Sequence, residues 1–297
     1  INLEKLVSEH GNFQSAIEWS LSADETEKGA RLAVALGNFW DIRGYYTLGI
    51  QLLGRFLTST KGLNKSLEIS LRRFSGILSA DFGLYEQARK YFEECLSISR
   101  EIGEKKGIAI ALNQLGGTDS LFGKYKLAQV YYEECLTLFR ELGDKDGLAA
   151  CLHNFGNITG GLGNYEQAKK YMEESLAIRI DLGDKRGTSS CLMSLGQIAY
   201  KHSESNYEQT KKFYEESISL SREIGLKREL AISLFNLGDC VENCDKNFEH
   251  AMEYFEESLA LFREMGNKIG IASSFYGIGN VLFRRSGMED EAKTSYE

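Results

Sequence analysis

The sequence predicts an all-α fold, a solenoid of tandem helical hairpins, and three observations carry the prediction. One motif recurs at steps of 40, 40, 42 and 41 residues, and an array of one supersecondary unit has a different architecture from one large domain. Within each copy the apolar residues fall at i, i+3, i+4 and i+7, which is one stripe of an α-helix. Proline is absent from all 297 residues, so no helix interior loses an amide hydrogen or meets a clashing ring.

Composition bounds the function classes. With 42% hydrophobic and 26% charged residues the chain has material for a core, which excludes disordered, collagenous and coiled-coil classes. The formal net charge is −8 with Lys and Arg interspersed among the acids, so no basic stripe is available to neutralise phosphates and nucleic acid is not expected as a partner. No apolar run reaches 18 residues, and Ile1 to His10 lacks a basic segment followed by an apolar one, so neither a membrane span nor a leader peptide is expected. Six cysteines are too few to staple a chain of this length, and the expectation is a reducing, cytoplasmic compartment.

Taken along the chain, residues 1–62 read as atypical hairpins: Gly11, Phe13 and Ala16 sit as in a second helix, followed by Leu36-Gly37, Gly44, Tyr46 and Gly49. Residues 63–297 read as tandem repeats of 40 to 42 residues, the last one truncated. Each second helix opens on a short motif, Gly83-Leu84-Tyr85-Glu86-Gln87-Ala88, Gly123-Lys124-Tyr125-Lys126-Leu127-Ala128 and Gly163-Asn164-Tyr165-Glu166-Gln167-Ala168, continued by Asn206-Tyr207 and Asn247-Phe248. An aromatic and acidic block follows, from Tyr91-Phe92-Glu93-Glu94-Cys95-Leu96 to Tyr254-Phe255-Glu256-Glu257-Ser258-Leu259, and its apolar stripe turns the Glu pairs outward.

The stop signals are glycines. Gly103, Gly143, Gly183, Gly225 and Gly266 stand where a left-handed residue closes a helix C-terminus, and Asp144 and Asp184 stand ready to cap the next helix. That first helix carries a recurring apolar-Gly pair, Leu115-Gly116, Phe155-Gly156, Leu195-Gly196, Leu237-Gly238 or Ile278-Gly279. A mid-helix glycine costs about 1 kcal/mol against alanine, and close packing of two helices is the expected compensation.

The pattern carried by Leu115, Gly116, Gly123, Tyr125, Ala128, Tyr132 and Cys135 resembles the tetratricopeptide repeat, and the likeness covers nearly the whole chain. The family's common repeat has 34 residues, so the longer steps resemble a long-helix subtype. The resemblance implies a right-handed solenoid of about seven hairpins whose first helices line a concave face that binds peptides or helices. The segments Glu9 to Trp19 and Leu36 to Gly44 further resemble the start of the repeat sensor region in STAND-class signal-transduction ATPases. By that resemblance the chain is a fragment, and intramolecular contact with other domains of its parent joins the expected partners. Two other readings stand beside it: an adaptor scaffold, since Leu-Gly-Asn repeat proteins share the repeat length and the motif seen in Phe155-Gly156-Asn157 and Ile278-Gly279-Asn280, and the regulatory region of a fused protease, kinase or cyclase.

The copies, compared with one another, separate scaffold from site, because a residue type present in every copy serves the fold. The Glu pairs recur five times and read as a solvated face rather than acid and base catalysts. Cys95 and Cys135 share a column with Ser175, Ser217 and Ser258, and Cys151 and Cys191 share one with Ala111, Ser233 and Ser274, the pattern of small buried residues. Cys240 and Cys244 lack the further ligands of a zinc site, and neither a His-Glu-x-x-His motif, a Gly-x-Ser-x-Gly elbow nor a phosphate loop occurs. No catalytic residue, metal or cofactor is therefore assigned. What varies is one face of the first helices, with columns Arg73, Asn113, His153, Met193, Phe235 and Tyr276; Phe74, Gln114, Asn154, Ser194, Asn236 and Gly277; and Asn38, Ile77, Gly117, Asn157, Gln197, Asp239 and Asn280. Amides offer both donor and acceptor to a bound backbone, and Phe235, Tyr276 and Phe283 offer apolar anchors. The expected ligand is a peptide, protein or small effector. Arg73 is the single base in these columns, which disfavours a Lys and Arg carboxylate clamp.

Overall fold

The computed structural model describes residues 3–23, 25–58, 62–202 and 206–286. Among them lie fifteen α-helices and one π-helical turn, with no strand. The helices are α1 (Leu3–Ser8), α2 (His10–Ser22), α3 (Thr26–Arg43), α4 (Tyr46–Thr58), α5 (Lys65–Asp81), α6 (Tyr85–Glu101), α7 (Lys105–Leu121), α8 (Tyr125–Leu142), α9 (Lys145–Gly161), α10 (Tyr165–Asp181), α11 (Lys185–His202), α12 (Tyr207–Ile224), α13 (Lys227–Cys240), α14 (Phe248–Glu264) and α15 (Lys268–Arg285). The predicted all-α array of hairpins is what the chain forms. It divides into two compact units, Ile1–Gly147 and Leu148–Glu297. The second helix expected for the truncated last repeat falls in 287–297, outside the described residues.

Both units are built by the same local chemistry. The glycines at 103, 143, 183, 225 and 266 all take positive φ, between 64° and 73°, and close their helices as expected. Asp144 and Asp184 then cap the following helices, each Oδ1 accepting at 3.0 Å from the amide of Gly147 or Gly187. One copy departs from the rule: Lys246 holds the left-handed position at φ 54°, where other copies place Gly83, Gly123 or Gly163. Just before it, Val241–Asp245 widens into the π turn that ends α13.

The mid-helix glycines make room for rings. A Cβ on Gly76 would lie 2.4 Å from the Phe92 ring, on Gly116 2.7 Å from Tyr132, on Gly196 2.6 Å from Tyr214 and on Gly238 3.0 Å from Phe255. Phe92, Tyr132, Tyr214 and Phe255 are fully buried. In the third copy Met172 takes the ring's place against Gly156. The cost of the glycine is thus offset by the area a large side chain buries when two helices of a hairpin approach.

The small-residue column is a ladder of side chain to backbone bonds. Cys95 Sγ donates to Ile69 O at 3.4 Å and Cys135 Sγ to Ala109 O at 3.3 Å in the first unit. In the second unit Ser175 Oγ donates to Ala149 O, Ser217 Oγ to Ser189 O and Ser258 Oγ to Ala231 O, at 2.8 to 3.0 Å. Each rung ties a second helix to the first helix of its own hairpin, and only a small donor fits there. The Glu pairs stand outside, as expected, but they are not idle: Arg100 grips Glu134 and Arg222 grips Glu257 with two hydrogen bonds each, and half-buried Glu94 receives Arg72 Nε at 2.8 Å.

The first unit centres on a cluster running from Ile17 through Trp40, Leu53 and Phe56 to Leu78. In the second unit one cluster surrounds Met172, Cys191 and Leu195 and another surrounds Tyr214, Leu234 and Phe255. No described helix is long and apolar enough to cross a membrane.

Candidate functional site

The first helices of the hairpins are α5, α7, α9, α11, α13 and α15. The apolar-Gly pairs of α7, α9, α11 and α13 are buried in the hairpins, whereas Arg73, Asn113, Gln114, His153, Asn154, Gln197, Phe235, Asn236, Asp239 and Asn280 are half-buried, and Asn38, Asn157 and Tyr276 are exposed. The polar columns therefore flank clefts, three of which lie within single units.

In the first unit, a cleft of about 240 Å³ runs between α5 and α7 over a floor from α6. It brings Arg73 and Gln114 together with Ser66, Ser70 and Lys106 over Ile69, Phe92 and Ile110. In the second unit, an equivalent cleft of about 290 Å³ between α9 and α11 holds His153 and Asn154 with Arg179, Asp184, Arg186 and Ser190. A smaller one, about 70 Å³, takes Asn157 and Gln197.

Several predicted residues are committed elsewhere. Phe235 packs on Phe255 with ring centroids 5.5 Å apart. Asp239 accepts from the Asn243 side-chain amide at 3.2 Å, and that amide also donates to the Tyr200 hydroxyl at 3.1 Å. Asn243 in turn accepts from Arg284 at 3.1 Å, so the π turn of α13 is fastened to α11 and α15. Asn236 is the opposite case, because its side-chain nitrogen is buried with no hydrogen-bond partner among the described residues.

Burial pushes the Cys95 thiol up to about 12 and raises Cys191 as well, so neither is a nucleophile at neutral pH. Burial pulls His153 below the ordinary imidazole value, which keeps it neutral. Its Nε2 lies 3.3 Å from Ser194 Oγ and its Nδ1 3.4 Å from the Asn157 amide. Ser194 is 3% exposed, and among the described residues the imidazole meets Ser194 and Asn157 rather than a carboxylate, so the pair lacks the parts of an activated serine. Among the described residues no cluster of three or more His, Cys, Asp or Glu is placed to hold a metal ion.

Sequence reasoning missed four charged members of the clefts, Glu104, Lys106, Arg179 and Arg186. Arg179 donates to Asp184 Oδ2 at 2.6 Å, and Arg186 lies 3.3 Å from Glu229. Glu104 occupies in the first cleft the position that Asp184 occupies in the second. The signal was present: in the turn column holding Asp144 and Asp184, this copy has Glu.

Hairpins joined by glycine stops, with amide-bearing clefts between first helices, define a helical-repeat protein of the protein-binding class. The family model of the tetratricopeptide repeat matches residues 69–141, 108–181 and 198–264, more than half of the chain, and the chain belongs to that family. No curated protein matches it significantly. Among solved structures, the apo form of RapI is 16% identical with a TM-score of 0.71, over 88% of this chain and 93% of that one. NprR in complex with its cognate peptide NprX is 15% identical, TM-score 0.64, over 98% and 86%. The STAND protein PH0952 of Pyrococcus horikoshii, which carries a tetratricopeptide repeat sensor, is 16% identical, TM-score 0.60, over 99% of this chain and 47% of that one. At such identities the likeness is one of fold.

Proposed function

We propose that the chain is a non-catalytic recognition region that binds a peptide, a protein or a small effector on the face of its first helices, with residues 63–297 as the array and 1–62 as its atypical N-terminal hairpins. One observation carries the reading: Arg73, Gln114, His153, Asn154, Asn157 and Gln197, which vary between copies, line clefts between first helices, while the repeated residues pack the hairpins, close the helices or stand in solvent as Glu pairs. Asn154, Asn157 and Gln197 line the clefts of the second unit and offer donors and acceptors that suit a bound backbone. NprR, which holds its cognate peptide, and PH0952, whose repeats are a sensor, share the fold and support a ligand-sensing role. We further assign the chain to the sensor part of a STAND-type signalling ATPase, on the likeness of the Trp19 and Trp40 segments.

The test is capture from a lysate of the source organism with the immobilised chain, read by mass spectrometry of proteins and extracted metabolites. A triple variant, Asn154→Ala, Asn157→Ala and Asn236→Ala, serves as the control after its helical content and melting have been shown to be unchanged. Loss of a captured species with the variant is the expected result. Undiminished capture moves the site off this face.

A further inference from the structure

The two equivalent clefts differ in their charge balance. In the second unit Arg179 neutralises Asp184 inside the cleft. In the first unit the residue at the position of Arg179 is Ser99, an uncharged side chain whose hydroxyl is buried without a partner, so Glu104 has no counterpart of that ion pair. Unlike Asp144 and Asp184, Glu104 does not cap its helix through the side chain. Across the same cleft the Arg73 guanidinium lies 4.3 Å from the Phe74 ring centroid, desolvated enough that burial lowers its pKa. It has no hydrogen bond or ion pair among the described residues. Lys106, the other base of the lining, is spent on Asp144 at 2.7 Å. One half-buried cation and one half-buried anion thus line a single cleft without pairing with each other, and a buried charge without a partner is costly.

The cleft is also lined by the apolar side chains of Ile69, Phe92 and Ile110, beside Ser66, Ser70 and Gln114. Its volume of about 240 Å³ lies below the ~300–1,000 Å³ of clefts that hold drug-sized ligands. A ligand that satisfies both charges must carry a carboxylate and an ammonium a few bonds apart, with an apolar arm. We propose that the cleft between α5 and α7 is a binding site for a free aliphatic α-amino acid, with Arg73 receiving the carboxylate and Glu104 the ammonium. The terminal residue of a peptide brings only one of the two charges. This inference rests on the reading of the first helices as the ligand face, and it names a ligand class for one part of that face.

The experiment is titration calorimetry of the whole chain with L-leucine, N-acetyl-L-leucine and L-leucinamide. The expected result is saturable binding of leucine, about 10-fold or more tighter than either derivative. Arg73→Gln should abolish the preference over leucinamide, and Glu104→Gln the preference over N-acetyl-leucine, each leaving the other preference in place. If N-acetyl-leucine binds as well as leucine, the site takes a peptide C-terminus and the amino-acid proposal is wrong. Absence of leucine binding, or preferences unmoved by both variants, overturns it too. The asparagine variant of the second unit reads the broader function separately, so capture that depends on those asparagines survives a failure here.

Discussion

At the scale of single residues, neighbouring glycines of α7 have opposite expected effects. A Cβ on Gly116 meets the Tyr132 ring at 2.7 Å, whereas on Gly117 it meets only the Tyr132 hydroxyl, at 3.6 Å. Gly116→Ala is therefore expected to destabilise by ~1–3 kcal/mol, and Gly117→Ala to stabilise by up to about 1 kcal/mol through helix propensity, both read from urea unfolding midpoints. Lys246 offers a second gain: its φ of 54° burdens a side chain where three other copies have Gly83, Gly123 and Gly163. Lys246→Gly should raise stability by ~0.5–1 kcal/mol, after the extra entropy of unfolded glycine is counted. The glycine stops and the Asp caps were legible in the sequence because each acts through its own backbone within three residues. The open charges of Arg73 and Glu104 were not legible, since a missing partner is a fact about three helices at once.

At the scale of the element, the ladder between the helices of a hairpin sets which exchanges are tolerated. Serine makes in three copies the bond that Cys135 makes to Ala109 O, so Cys135→Ser should change stability by less than ~1 kcal/mol. Leu115→Ala, at a position with no exposure, should cost ~2–5 kcal/mol in the same assay. His153, which links α9 to Ser194 of α11, adds a pH dependence. Its folded value lies below the ordinary 6.5, so on acidification the unfolded chain takes up the proton first and stability falls as pH drops below about 6.5. Asp144, held low by Lys106 and by the Gly147 amide, adds its own loss only below its ordinary 3.8. Melting temperature measured from pH 7 to pH 5 should therefore decline, and His153→Asn should flatten the decline. The π turn at Val241–Asp245 escaped sequence reasoning because the residues that fasten Asn243, namely Tyr200 and Arg284, come from two other helices.

At the scale of the whole chain, the repeats make stability a sum of hairpin and neighbour terms rather than one global quantity. Leu234, fully buried in the second unit, is a probe of this. Leu234→Ala is expected to lower amide-exchange protection through Leu148–Arg285 while residues 3–147 keep theirs; equal loss in both would show a single cooperative block. The order of hairpins was readable because it is written five times, whereas the ligand is written once, in side chains whose meaning depends on what stands across a cleft. The ladder that ties each second helix to its first spans 26 to 28 residues. A ribosome adding ~5–20 residues per second supplies both ends of such a rung within several seconds. Each hairpin therefore has the means to close while later ones are still being translated, and the nascent chain need not hold its apolar stripes open until synthesis ends.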